Sequence, residues 1–360
     1  MAFHQCNKSR ICKKAIPVGL AAATTDVKPR SESEFRRAVA ALSALTAHDL
    51  EKVDAEILHG VRSTVGMIPE LAGHLVAAGG KRLRPMLTLA SAGACGYGGA
   101  DHIKLAAAVE LIHGATLLHD DVVDGSILRR GLETANVIWG NKESILVGDF
   151  IFSRAFELMV AARNLKVLQI LSAASGIIAE GEVLQLATQK NLAATFEMYL
   201  AVVESKTAAL FAAAAQAGAA IAEAHSGVEI AFKRYGAQLG VAYQLVDDAL
   251  DYSGFDATLG KRTGDDFREG KMTLPVVYAL ERADAGERKF WKRTIGDGVQ
   301  TAEDFVEACA ILARTGAVED TIVCAKRYAG RAIVELGAAP DNDFTRALMR
   351  LAETSVLRLS

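Results

Sequence analysis

The sequence predicts an all-α fold, and three observations carry that expectation. The chain is rich in Ala and Leu, with few runs of β-branched residues. Only 6 prolines occur in 360 residues, and two of them, Pro17 and Pro29, fall in the first 30. From about residue 33 onward, apolar residues recur at helical spacing in segment after segment, with no Gly/Ser-rich linker between them. A single domain over residues 31–360 follows. Hydrophobic residues at 51% and charged residues at 23% supply a sizeable core and exclude global disorder. A net charge of −3 gives no global reason to expect nucleic acid as a partner.

The elements follow in order. Residues 1–30 are basic and carry no acid before Asp26, with Lys8, Arg10, Lys13 and Lys14 in front. They lack the apolar stretch of a secretory signal and are expected to form a disordered tail. Ser31-Glu32-Ser33-Glu34-Phe35 opens a polar first helix. A second, from about Ala47, carries Leu50, Val53, Ile57 and Val61 on one face. Pro69 and Pro85 suit the first turns of the next two helices. Asp101 to Val123 forms a long helix, and the glycine-containing stretch 124–141 reads as a loop or short pieces. Helices are expected at 142–162, 165–188, 195–223 and 227–253. The segment 254–271 is rich in glycine and charge and reads as a loop, and Pro275 opens another helix. No stretch is expected to cross a membrane: the most apolar, Thr207 to Ala222, is short and dominated by alanine. The five cysteines, Cys6, Cys12, Cys95, Cys309 and Cys324, are scattered and read as free thiols in a reducing compartment.

Chemistry enters through one acidic pattern that occurs twice. Asp120-Asp121-Val122-Val123-Asp124 and Asp247-Asp248-Ala249-Leu250-Asp251 both lie in apolar, helix-period surroundings. Residues i and i+4 share a helix face, so Asp120 and Asp124 project together, as do Asp247 and Asp251. Carboxylates so placed repel one another, and apolar neighbours raise their desolvation cost. A single copy reads equally well as a solvated helix face; two copies, each followed by basic clusters, point to bound cations. Hard oxygen ligands on rigid helices suit Mg²⁺, which commonly bridges to phosphate. The basic clusters fit that picture. Lys81, Arg82 and Arg84 follow a Gly79-Gly80 turn at a helix start. Arg129 and Arg130 follow the first motif, and Lys206-Thr207 interrupts an apolar helix. Lys261, Arg262, Arg268 and Lys271 follow the second motif. Ordinary surface charge accounts well for Arg262 and Arg268, and poorly for Lys206.

The strings GGKRLRP, ELIHGATLLHDDVVDGSILRRG, GDFIFSRAF, ESKTAALF, YQLVDDALDYSG and GKRTGDDFREGKMTLP run from residue 79 to 275. They closely resemble the trans-isoprenyl diphosphate synthases, or polyprenyl synthetases, and occur in that family's order. The resemblance implies the isoprenoid synthase fold, a helical bundle around a central cavity, usually as a homodimer in the cytoplasm. It implies that Asp120, Asp121 and Asp124 face Asp247, Asp248 and Asp251 across that cavity and hold three Mg²⁺ on an allylic diphosphate, farnesyl or geranyl. Asp120, Asp121, Asp124, Asp247 and Asp251 would be the metal ligands. Arg129, Lys206 and Lys261 would complete that diphosphate's site. Lys81, Arg82, His113 and Arg130 match the positions that bind isopentenyl diphosphate, although a helix histidine such as His113 also reads as a packed neighbour. Thr207 and Gln244 match polar residues near the allylic carbon, and His119 stands beside Asp120.

In this family the growing chain runs beside the helix of the first acidic motif, where a bulky aromatic four or five residues before the first Asp stops it early. Here those positions are Thr116 and Ala115, with Ile112 one turn further back, and each turn lengthens the slot by ~5.4 Å. A long product of the C40 to C50 class is expected. Phe152, Phe156 or Met159 could close the slot from another helix. The motif wording is most similar to octaprenyl and decaprenyl synthases that make ubiquinone side chains, with decaprenyl favoured. A shorter-chain farnesyl or geranylgeranyl synthase is the alternative reading. A terpene cyclase normally lacks the isopentenyl-binding basic set, and a noncatalytic subunit tends to lose one acidic motif; this chain keeps both. At most a peripheral membrane contact is expected.

Overall fold

The computed structural model describes residues 28–77, 79–253 and 264–359. The expectation for the tail up to residue 27, and the expectation that Lys261 binds phosphate, lie outside the described residues.

The chain is a helical bundle. It opens with α1 (Lys28–Gly60), α2 (Met67–Ala77) and α3 (Leu83–Ala94), followed by α4 (Asp101–Val123). A two-residue antiparallel pairing, β1 (Leu128–Arg129) with β2 (Leu132–Glu133), and the one-turn α5 (Ala135–Ile138) lead to α6 (Asn141–Ala161) and α7 (Leu165–Thr188). Next come α8 (Phe196–Val203), a π turn (Glu204–Ala208), α9 (Ala209–Ile221) and α10 (Ser226–Asp251). The C-terminal part holds α11 (Asp265–Glu269), α12 (Leu274–Glu281), α13 (Ala285–Trp291), α14 (Asp304–Thr315), α15 (Ala317–Glu335) and α16 (Asp343–Ser355). A 3-10 turn, Val356–Leu359, ends the described chain.

Most expected helices stand within a residue or two of their bounds, and α4 and α7 match at both ends. Three expectations are corrected. The polar first helix and the helix from Ala47 are one continuous α1, which begins at Lys28, inside the expected tail. Nothing in that stretch breaks a helix, and Phe35, Leu42, Val53 and Ile57 are buried along it. The helix expected over 195–223 is interrupted by the π turn, which inserts an extra residue at Lys206. Two helical stretches, Leu165–Thr188 and Phe196–Ile221, are also long and apolar enough to cross a membrane by length and composition. The second is half buried within the bundle; the first is only one-third buried. The part of each helix that meets the core accounts for part of its apolar character. Cys95, Cys309 and Cys324 are free thiols, as expected.

The packing that positions the site is specific. α4 lies mainly against α6, α10 against α9 and α15, and α3 against α9. The α9–α10 crossing is close because α10 presents glycine there. A Cβ on Gly236 would meet Phe211 O at 2.3 Å, and one on Gly240 would meet Ala208 Cα at 2.7 Å. These crossings bring the first acidic motif on α4, the π turn and the second acidic motif on α10 to one end of the bundle.

Candidate active site

The six motif aspartates are not equivalent. Asp121 is buried, and Arg129 clamps it through Nε (3.0 and 3.1 Å) and a second guanidinium nitrogen (2.7 Å). Asp248 is buried as well; it accepts from the Tyr199 hydroxyl at 2.6 Å and from Gln244 at 2.8 Å. Asp251 accepts the backbone N–H groups of Gly264 (3.0 Å), Asp265 (3.3 Å) and Asp266 (3.0 Å), and so caps α11. The other three pair with cationic side chains. Asp120 Oδ2 lies 3.5 Å from Lys206 Nζ, Asp124 is 2.9 Å from Lys271 Nζ, and Asp247 is 2.7 Å from Arg358. Arg129 and the N-terminus of α11 thus engage the oxygens of Asp121 and Asp251.

Lys271 links the two motifs. It bonds Asp124 of the first, pairs with Glu269, and its charge is reinforced by Asp266, which lies against Asp251 and Asp248. Burial disfavours the charged form throughout this set. It raises the carboxyls of Asp120, Asp251, Glu182 and Glu269, and raises Asp266 strongly. Asp248 is pushed up to about 6, first by burial and then by Asp247 and Asp251, against its hydrogen bonds to Tyr199 and Gln244. Among the described residues no group of three His, Cys, Asp or Glu side chains is close enough to hold a cation in this conformation. The donor chemistry nevertheless fits a hard divalent cation. Asp120 and Asp124 share a helix face, their carboxylates need positive charge, and flexible lysine ammoniums supply it.

A second region is basic. His113 is surrounded by Arg84, Arg129, Arg130 and Arg82, and burial together with those four charges drives its imidazole well down, so it is neutral near pH 7. Arg84 is half-buried, with its guanidinium 4.6 Å from the Phe211 ring, and Glu110, Tyr243 and Asp247 favour its charge. Arg130 lies against Gly80, where a Cβ would come within 3.0 Å of its guanidinium. Lys81 sits over the Phe35 ring at 4.9 Å. Arg82 and Arg130 both adopt left-handed backbone, at φ 49° and 53°, a strained conformation for a non-glycine residue. Arg82 lines the cavity beside His113 and Arg130, and also pairs with Glu110 (2.5 Å) and Asp54 (3.6 Å).

Between the two regions, Thr207 Oγ1 donates to Gln244 Oε1 at 2.9 Å, joining the π turn to α10. An apolar-walled cavity opens beside the basic residues, lined by Ile57, Leu75, Leu111, Gly114 and Leu117. Ala115 and Ile112 are fully packed, and Thr116 is half-buried one turn before Asp120. Met159 is buried, and Phe152 and Phe156 pack on each other at 5.4 Å. His119 contacts Ile145 O and Asp149 on α6.

Sequence reasoning left Arg84, Lys271, Asp266, Glu182, Tyr199 and Arg358 unassigned. Arg84 and Lys271 were visible as cations inside the motif strings. Glu182 was visible as an acid after Gly181 in an apolar helix. Tyr199 and Arg358 carry no local signal, because only tertiary contact brings them to Asp248 and Asp247.

The polyprenyl synthetase family pattern matches residues 66–312. Octaprenyl diphosphate synthase of Escherichia coli (strain K12) is 44% identical over 319 residues, which is 88% of this chain and 98% of that protein. A polyprenyl synthase from Caulobacter crescentus CB15, crystallised with calcium and isoprenyl diphosphate, superposes with a TM-score of 0.87 at 50% identity, covering 89% of this chain and 98% of that one. A decaprenyl diphosphate synthase from Rhodobacter capsulatus gives 0.85 at 49% identity, covering 89% and 98%. The helical bundle is the isoprenoid synthase fold, and the chain belongs to the polyprenyl synthetase family of prenyltransferases.

Proposed function

We propose that this protein condenses isopentenyl diphosphate repeatedly onto an allylic diphosphate, farnesyl or geranyl, and releases an all-trans polyprenyl diphosphate of the C40 to C50 class. One observation carries the reading: a carboxylate-rich region that needs cations adjoins a basic pocket around a neutral histidine. Two diphosphates of different character fit two such regions. Similarity to octaprenyl and decaprenyl synthases supports the long product.

The allylic diphosphate is assigned to the acidic side. Asp120, Asp124 and Asp247 would hold Mg²⁺ there, three ions in the expected complex. When bound, the metal supplies Lewis-acid neutralisation of phosphate oxygens. Lys206 and Lys271 add point charges that stabilise the departing diphosphate as the allylic C–O bond breaks. Arg129 stays on Asp121 and fixes the end of α4. Isopentenyl diphosphate is assigned to Lys81, Arg82, Arg130 and His113, where arginine grips phosphate through paired N–H groups. Its double bond attacks the allylic carbon, and the proton lost from the new cation passes to the released diphosphate. The Thr207–Gln244 pair lies beside that carbon, and apolar walls keep water from quenching the cation.

A homodimer belongs to the same reading. α6 and α7 expose Leu146, Val160, Leu165 and Val183, each more than 60% accessible, as a subunit face would. A cytoplasmic setting and supply of ubiquinone side chains extend it. Purified protein incubated with farnesyl diphosphate, labelled isopentenyl diphosphate and Mg²⁺ is expected to give products of the C40 to C50 class. Recovery of farnesyl diphosphate unextended would overturn the reading.

A further inference from the structure

We infer that Glu182 is a positioning residue for prenyl transfer: it tethers Lys206 and so keeps Asp120 open to a divalent cation. The inference rests on the functional reading above. Lys206 Nζ lies between two carboxylates, 2.7 Å from Glu182 Oε2 on α7 and 3.5 Å from Asp120 Oδ2 on α4. The nearer partner is the one that no acidic motif contains. All three side chains are largely shielded from solvent, at 20%, 28% and 16% exposure for Lys206, Glu182 and Asp120, so the charge-assisted bond keeps much of its strength.

Two local departures from regular helix converge on this contact. The π turn places Lys206 toward α7. Gly181, next to Glu182, lets the backbones meet: a Cβ there would lie 2.7 Å from Ser205 Cβ and 2.9 Å from Lys206 N. A glycine inside a helix costs about 0.5–1 kcal/mol relative to alanine, so its place at this approach is structural.

Without Glu182, Asp120 is the one carboxylate among the described residues that pairs with Lys206. It would close on Asp120 and compete with the cation there.

The test compares wild type, Glu182→Ala and Glu182→Gln. Each is assayed for chain extension and for the Mg²⁺ concentration that half-saturates its thermal stabilisation without substrate. Melting temperatures without Mg²⁺ control for folding. Alanine is expected to lower kcat by about 10- to 100-fold, leave KM for isopentenyl diphosphate unchanged, and raise the Mg²⁺ midpoint by about fivefold. Glutamine keeps an acceptor for Lys206 and is expected to restore both values to within about threefold of wild type. Unchanged kcat and Mg²⁺ midpoint in Glu182→Ala, or a glutamine variant no better than alanine, would overturn the inference. If wild-type protein extends no allylic diphosphate, the functional reading fails instead, and the three Mg²⁺ midpoints still decide the tether.

Discussion

The acidic and basic halves of the site meet the same problem, buried like charge, in opposite ways. On the acidic side, Asp120, Asp124 and Asp247 are balanced by Lys206, Lys271 and Arg358, which reach in from the π turn, the stretch after α11 and the end of the chain. On the basic side, Arg84, Arg130 and their neighbours crowd a neutral His113, with Glu110 engaged by Arg82. The first half pairs each carboxylate with a cationic side chain; the second gathers several cations around one neutral histidine. The difference teaches why the halves suit different diphosphates. One needs a metal between its own carboxylates and the phosphate, and the other meets phosphate directly.

Substitutions can break this contrast. The largest effect is expected for Asp120→Asn, which removes charge from the acidic half. Its kcat should fall by about 10³-fold or more in the extension assay, with isopentenyl diphosphate affinity within about threefold of wild type. Equal loss of that affinity would merge the two halves. Next comes Arg82→Gln, expected to raise KM for isopentenyl diphosphate by about 30- to 100-fold. An unchanged KM would remove Arg82 from the basic half.

A third substitution concerns what lies beyond the charges. Ala115→Phe should shorten the product to the C15 to C20 class if the chain runs along that face of α4. Ala115 is 1% exposed, so an unchanged product with stability lower by about 1–3 kcal/mol would show overpacking and place the chain elsewhere. The open space beside Gly114 is then the other candidate. The smallest effect is expected for Gly181→Ala. The added methyl must push the π turn away from α7, lowering stability by about 1–3 kcal/mol and the melting temperature by several degrees.

Much of this architecture was legible in the sequence because α4, α7 and α10 carry uninterrupted helical periodicity. The two aspartate motifs were legible because six carboxylates in apolar surroundings demand an explanation. What separates the aspartates from one another was not. The pairing of Arg129 with Asp121 depends on the turn between β1 and β2, and the capping by Asp251 depends on where α11 begins. The left-handed backbone at Arg82 is a local turn that spacing cannot reveal. The π turn was foreshadowed by a lysine inside an apolar helix, but an extra residue in a helical turn leaves the hydrophobic pattern nearly intact.

The most direct test is equilibrium binding of farnesyl thiodiphosphate, which resists ionisation, and of isopentenyl diphosphate, each with and without Mg²⁺. Allylic affinity should rise at least about tenfold with Mg²⁺, while isopentenyl affinity changes by less than about threefold. An equal Mg²⁺ dependence for both ligands would contradict the division of the site into a metal-dependent half and a metal-free one.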